Sequence, residues 1–182
     1  MTERLPRVTE ILAAVGLGQD WSLVPPDVLV AAQKRGTAVH AAIEALAYGY
    51  FDEAATDPEI VPYLEAYRAF IAESGHEAIA SEIEVMHPTW RYVGHPDRVG
   101  WLLGRRCILD FKTGDLGPVA YQLAGYRAAW NAQHPTEPVD VLAAVQLRAE
   151  GTYRLHEVSA AEAEPVFLAA VMVYRAQQEM HR

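Results

Sequence analysis

The sequence predicts an α/β (α+β) fold: one central mixed β-sheet flanked by helices and preceded by a helical N-terminal segment. Three observations carry the prediction. Through residues 1–75 apolar side chains recur at spacings of three and four, the period of a helix with one buried face. From Ala80 onward the period shifts to two, first at Ala80–Val85 and again at Ile108–Lys112. A further helical stretch, Val119–Gln133, stands between that second strand and two more extended runs, an order that packs helices against a sheet of mixed direction. No repeat, low-complexity tract or linker interrupts the 182 residues, so the expectation is a single domain over 1–182, with 1–75 as its helical part and 76–182 as the sheet core with flanking helices.

Each element has a local reason. Thr9–Gly16 reads as a short helix, capped by the Thr9 hydroxyl and stopped at Gly16. Pro25-Pro26-Asp27 opens the next helical stretch, which continues to Tyr48 through Val28, Leu29, Ala32, Val39, Ile43 and Leu46 and is split or kinked at Lys34-Arg35-Gly36-Thr37. Asp52–Asp57 is an acidic loop, and Pro58–Glu73 an amphipathic helix ended by Ser74-Gly75. In Ala80–Val85, Glu82 and Glu84 share one strand face while Ile83 and Val85 share the other. His87–Trp90 is a turn; Gly94–Gly100 then reads as a strand paired antiparallel with Ile108–Lys112 through a turn at Gly104-Arg105-Arg106. His134–Pro138 breaks the chain after the long helix. Val139–Leu147 is a buried strand and Thr152–Val158 an edge strand, joined at Glu150-Gly151, and Ser159 caps a last helix running almost to Arg182.

Chemistry concentrates between Gly94 and Tyr126. Strand alternation puts Ile108, Asp110 and Lys112 on one face and Leu109 and Phe111 on the other, so a carboxylate and an ammonium project together from a rigid strand. Asp97 adds a second carboxylate from the neighbouring strand, and Gln122 and Tyr126 stack at i, i+4 on the helix that follows. The chain has two lysines, Lys34 and Lys112, against thirteen arginines; a lysine kept here suits a site that wants a compact ammonium beside a water or phosphate rather than a planar fork. Two carboxylates on adjacent strands, with the backbone carbonyl of Phe111, form an oxygen set for a hard Mg2+ or Mn2+ ion. Plainer readings stand beside these. Asp110 and Lys112 can be an ordinary strand-face ion pair. His40 can be a helix-surface group paired with Glu44, Glu82 and Glu84 can both be solvated, and Tyr126 can be a core aromatic. His87 and His95 read as loop residues.

Composition narrows the classes. A content of 51% hydrophobic and 21% charged residues is that of a globular protein rather than a disordered one. No apolar run approaches the ~18 residues that span a bilayer, and Met1–Arg7 lacks the apolar core of a signal peptide, which points to the cytoplasm and away from a membrane. The single cysteine, Cys107, excludes an intrachain disulfide. There is no Gly-x-x-x-x-Gly-Lys phosphate loop, no Cys-x-x-Cys pair and no serine nucleophile elbow. A net charge of −9 argues against binding nucleic acid through bulk charge, but Arg91, Arg98, Arg105 and Arg106 crowd the proposed hairpin, with Arg127 on the next helix, and predict a basic rim around an acidic pocket.

Taken in order, Arg35-Gly36-Thr37-Ala38-Val39-His40, Glu82, Gly94-His95-Pro96-Asp97, Ile108-Leu109-Asp110-Phe111-Lys112-Thr113-Gly114 and Gln122-x-x-x-Tyr126 resemble the PD-(D/E)XK nuclease superfamily, in particular its RecB-like, Cas4-like and phage exonuclease branch. The resemblance spans residues 30 to 130, and the opening Arg4–Leu12 is similar to the start of phage-encoded members. It implies a restriction-endonuclease-like sheet and metal-dependent hydrolysis of DNA phosphodiester bonds. In the roles it implies, Asp97, Asp110 and the Phe111 carbonyl hold Mg2+ or Mn2+, His40 and Glu82 complete the metal site, Lys112 orients the attacking water and stabilises developing charge, and Gln122 and Tyr126 form a supporting layer. It also implies an exonuclease acting on linear DNA in recombination, repair or phage DNA processing, in the cytoplasm of a prokaryote or a phage-infected cell, working as a homo-oligomer or with a single-strand-annealing recombination partner. Some Cas4-like relatives carry an iron–sulfur cluster on four cysteines, which one cysteine cannot supply. The alternative from another class is a catalytically silent nuclease fold that binds DNA or a protein; the complete set of His40, Asp97, Asp110 and Lys112 speaks against it.

Overall fold

The computed structural model describes residues 4–180; Met1–Glu3, on which part of the signal-peptide reading rests, and His181–Arg182 lie outside the described residues. A five-stranded mixed sheet forms the centre, with the strand order β1(Glu77–Ser81), β4(Arg98–Leu102), β5(Arg105–Lys112), β6(Val141–Leu147), β7(Tyr153–Val158). β4 pairs antiparallel with β1 and β5, β5 runs parallel to β6, and β7 is the antiparallel edge. The parallel step needs a crossover, which the helix α4(Val119–Gln133) supplies. Two short strands, β2(Val85–His87) and β3(Tyr92–Gly94), form a separate ribbon.

The alternation of β5 divides the core. Ile108 faces a cluster built from α1(Val8–Ala14), α4 and α5(Ala160–Met180), with Tyr92, Leu123, Trp130 and Phe167 fully or nearly buried. Cys107, Leu109 and Phe111 face the opposite cluster, under α2(Pro26–Tyr48) and α3(Val61–Ser74), with Val39, Phe70 and Tyr67. Each cluster member of Leu or Phe size removes enough apolar surface for ~1.5–3 kcal/mol. The sheet is therefore covered on both faces, and its exposed chemistry is confined to strand ends. No helix among the described residues is long and apolar enough to cross a membrane.

Several local expectations are corrected. α2 is one uninterrupted helix of 23 residues through Gly36, because packing of Val39, Ala42 and Ile43 on the sheet outweighs the ~1 kcal/mol that one glycine costs a helix. α1 begins at Val8 rather than after Thr9, with the Glu10 carboxylate accepting the Arg7 N–H at 2.9 Å. The strand expected over Ala80–Val85 does not exist as such: β1 ends at Ser81, Glu82 sits at φ 49°, and Val85 belongs to the separate ribbon. The strand expected over Gly94–Gly100 is likewise two, β3 and β4, divided at His95-Pro96, since Pro96 has no N–H to give a ladder.

Three of the five arginines expected in a basic rim are committed elsewhere, while Arg91 and Arg105 are exposed. Arg98 is buried, donating to Ser81 and, at 3.0 Å, to the Tyr67 hydroxyl. Arg106 lies at the far end of β5 against Glu137, and Arg127 is bound by Glu164 and the Val139 carbonyl.

Candidate active site

Asp97 immediately precedes β4, at the position facing the end of β5, and its carboxylate extends the ladder: Oδ2 accepts the Phe111 N–H at 2.6 Å. Asp97 in turn offers its backbone carbonyl to the Glu82 N–H at 3.2 Å. That bond fixes Glu82 in the left-handed region, which costs a non-glycine residue ~1–2 kcal/mol and swings its side chain toward Asp97 instead of along a strand face. Glu84, expected on the same face as Glu82, turns elsewhere and lies 3.4 Å from His95.

His40 enters from α2. Its Nε2 is 2.9 Å from the Phe111 carbonyl, and its Nδ1 is 3.5 Å from Asp97 Oδ1 and 4.0 Å from Glu82 Oε1. A carbonyl can only accept, so Nε2 carries the hydrogen and Nδ1 is left facing two carboxylates. A lone pair aimed at two anions is repulsive unless a cation stands between them. A proton can serve: burial opposes the charge, but Asp97 and Glu82 outweigh it, and the His40 pKa is pushed up to about 10. A divalent ion satisfies the same field. Donor atoms of His40, Glu82 and Asp97 all lie within 4.8 Å of one another, and an imidazole whose second nitrogen donates to a backbone carbonyl is the usual arrangement of a metal-bound histidine. The residues thus fit a hard divalent cation, and the alternative pairing of His40 with Glu44 is not made.

Asp110 and Lys112 face the other side of this cluster. Asp110 is 2% exposed; its Oδ1 accepts from Gln122 Nε2 at 3.1 Å, and its Oδ2 lies 2.8 Å from Lys112 Nζ, off the line of a formed hydrogen bond and held by charge. Burial and the neighbouring Asp97 raise the Asp110 pKa to about 6, against the pull of Lys112. Burial works against the Lys112 ammonium, yet Asp110 outweighs it and raises its pKa. Gln122 bridges the pair, receiving Lys112 at 3.5 Å through Oε1 and donating to the Tyr126 hydroxyl at 2.7 Å. Tyr126 is buried, and burial followed by the Asp110 charge drives its pKa far up, so it stays a neutral phenol. Its ring lies over Gly94, where a Cβ would come within 2.4 Å of Tyr126 Cδ1, so glycine at 94 is what admits the ring.

The eight residues proposed for the site from the sequence therefore meet at the C-terminal end of β5, seven of them through side chains in two subsets. His40, Glu82 and Asp97 form the metal-fitting triangle; Asp110, Lys112, Gln122 and Tyr126 form a connected chain beside it; Phe111 joins them through its N–H and carbonyl. Asp110 and the Phe111 carbonyl, expected as ligands, are engaged by Lys112 and Gln122 and by His40 respectively. The site opens into a cleft of about 870 Å3 between the face of α2 that carries Gly36, His40 and Glu44 and the Thr113–Pro118 loop. Its outer wall includes Trp21 and Arg35, which sequence reading passed over as a loop residue and a motif letter. Arg35 five residues before His40 offered no periodic signal, and Trp21 reaches the cleft only through the path of its loop.

Comparison with known proteins comes to one architecture. No family model matches the sequence, and no curated protein matches it. Among solved structures the chain is similar to LHK-Exo, an alkaline exonuclease from Laribacter hongkongensis, at a TM-score of 0.51 and 14% identity, over 95% of this chain and 77% of that one. LHK-Exo in complex with dAMP gives the same score and identity over 97% and 89%. At this identity the likeness is one of fold: the mixed central sheet with its flanking helices is shared with that exonuclease and is consistent with a restriction-endonuclease-like fold.

Proposed function

We propose that the chain is a Mg2+- or Mn2+-dependent deoxyribonuclease that hydrolyses phosphodiester bonds, and specifically an exonuclease on linear DNA in recombination, repair or phage DNA processing. The observation that carries the reading is His40 Nδ1 aimed at Asp97 and Glu82 with its tautomer locked by the Phe111 carbonyl, one strand residue away from the Asp110–Lys112 pair. Likeness of fold to an alkaline exonuclease, seen also with dAMP bound, supports a nucleotide polymer as substrate and an exonuclease over an endonuclease.

His40, Glu82 and Asp97 would hold the ion, with Asp110 adjoining. Bound there, a divalent cation supplies Lewis-acid stabilisation of the phosphoryl oxygens and a more acidic water. The chain's own residues do the rest. Lys112 keeps its proton at neutral pH, so it acts as a fixed positive charge toward the attacking water and the developing oxyanion, not as a base. Asp110 and Gln122 hold that ammonium in place, and Tyr126 fixes the Gln122 amide so that its Oε1 turns to Lys112.

The test is digestion of end-labelled linear DNA and covalently closed circles with Mg2+, Mn2+ or EDTA, with Lys112→Ala alongside. Metal-dependent loss of linear DNA alone, abolished by the substitution, is expected. Cutting of circles makes the protein an endonuclease, and DNA binding without cleavage under either metal makes it a silent binding module.

A further inference from the structure

Positive charge is unevenly committed in this molecule. Arg4, Arg35, Arg68, Arg106 and Arg127 each lie against a carboxylate, and Arg98 is buried. Arg154 is one of four exposed arginines, with Arg7, Arg91 and Arg105, that have no carboxylate within ion-pair distance among the described residues. Its place in the sheet is informative. Lys112 of β5 stands opposite Gln146 of β6, and Gln146 opposite Arg154 of β7. With strands ~4.8 Å apart, Arg154 rises from the sheet about 10 Å from Lys112. Tyr153 and Leu155 pack into the cluster under α2 and α3 while Val158 packs into the other, so Arg154 and His156 lie on the face that carries Asp110 and Lys112. Arg148 follows Gln146 on that face, and its contact with the exposed Glu150 is loose, at 3.8 Å.

Gln146, between Lys112 and Arg154, is tied to the site loop. Gln146 donates to the Gly114 carbonyl at 2.9 Å and meets His156 Nε2 at 3.2 Å through Oε1. The pKa of the His156 ring is lowered, by burial and then by Arg154 and Arg148, which places both guanidiniums within electrostatic reach of it. A protein of net charge −9 thus keeps two weakly committed arginines side by side, next to the cleft and on the same face as its active lysine.

We propose that Arg148, Arg154 and His156 form a phosphate track along the β6–β7 end of the sheet, which holds the nucleic-acid strand about 10 Å beyond the phosphate at Lys112. At an axial rise of ~3.4 Å per nucleotide in a B-form strand, that distance puts the track roughly three nucleotides from the point of cleavage. The track rests on the nuclease reading for its substrate. It makes binding depend on strand length and on salt, which the metal triangle alone does not.

The test compares a labelled oligonucleotide of about 20 nucleotides with one of about three, by fluorescence anisotropy in EDTA over a range of salt concentrations, alongside cleavage of linear DNA in Mg2+. Arg154→Glu is expected to weaken binding of the long strand about tenfold and of the short one no more than about twofold. Arg154→Gln, which adds no repulsion, should lower the salt slope of long-strand binding by about 0.7–0.9. Arg105→Gln, at the opposite end of β5, should change neither. Equal losses on both lengths, or an unchanged salt slope, overturn the track. So does self-association of Arg154→Gln with its affinity intact, since the charge would then serve only to keep an edge strand from pairing. The two readings fail separately. A wild type that binds without cutting, and loses binding in the track variants, keeps the track and ends the nuclease reading. A wild type that cuts, with track variants that bind as it does, does the reverse. A wild type that neither binds nor cuts ends both.

Discussion

At the N-terminal end of β5, a largely covered Arg106 stacks over the Trp101 ring and meets the exposed carboxylate of Glu137 at 2.8 Å; at the C-terminal end, Asp110 meets Lys112 at the same distance with its carboxylate shut away from water. The distances match, but the energetics do not. An exposed pair contributes ~0–1 kcal/mol and asks nothing of its surroundings. A buried carboxylate with a second one beside it costs several kcal/mol of lost hydration, which packing must offset. The Asp110 pKa, raised to about 6 by that burial and by Asp97, records the cost. The lesson is that the carboxylate at the turn end keeps its water, whereas the carboxylate at the far end is held against its own preference, the mark of a candidate functional group.

Breaking the buried end should have the largest consequence. Asp110→Asn and Lys112→Ala are each expected to lower Mg2+-dependent cleavage of linear DNA by about 10^2–10^4. Asp110→Asn should leave the melting temperature of the metal-free protein equal or higher, because an ill-solvated charge is gone. Full nuclease activity in Asp110→Asn would falsify the assignment of this end as catalytic. Next in size is the strand between the two ends. A Cβ on Gly100 would lie 2.3 Å from the Glu77 carbonyl oxygen, a backbone atom that cannot rotate away, so Gly100→Ala should cost about 2–4 kcal/mol in denaturant unfolding.

A third prediction sharpens the comparison through pH. The folded-state pKa of His40 is raised, from 6.5 to about 10, so the stability it confers on the metal-free protein is fully present below pH 6.5 and is lost as pH rises through about 10. Melting of the metal-free protein should therefore decline over that window, and less steeply in His40→Ala. A divalent ion replaces the proton, so its affinity should rise by up to about tenfold per pH unit across the same window, with about one proton released per ion by calorimetry in buffers of different ionisation enthalpy. Affinity independent of pH would remove His40 from the metal site. The smallest effect belongs to the turn end, where the carboxylate is exposed: Arg106→Gln should cost about 1 kcal/mol, through the ion pair and its packing on Trp101, and leave cleavage unchanged, and a loss of activity would erase the contrast between the two ends.

Legibility followed the range of the interactions. The face of β5 was readable because alternation is a covalent property of an extended chain, and it correctly put Asp110 with Lys112 and Leu109 with Phe111. The i, i+4 relation of Gln122 and Tyr126 was readable for the same reason, on a helix whose bounds, Val119 to Gln133, matched the expectation. Glu82 was not: its alternation with Glu84 mimicked a strand, and the backbone bond to Asp97 that turns it into the site comes from fifteen residues away. The arginines misled for a related reason, since sequence density around a hairpin says nothing about which end of it each side chain occupies.

Local periodicity settled which elements form and which side chains share a face, because both follow from backbone geometry over a few residues. It also placed a carboxylate and the rarer cation on one strand, which is the chemical core of the site. Packing settled what those residues meet. The uninterrupted α2 that brings His40 to the Phe111 carbonyl, the left-handed turn at Glu82, and the parallel pairing that sets Gln146 and Arg154 beside Lys112 all depend on contacts far apart in the chain. Such contacts take their energy from desolvation and from the shape of the assembled core, quantities that no short window of sequence contains.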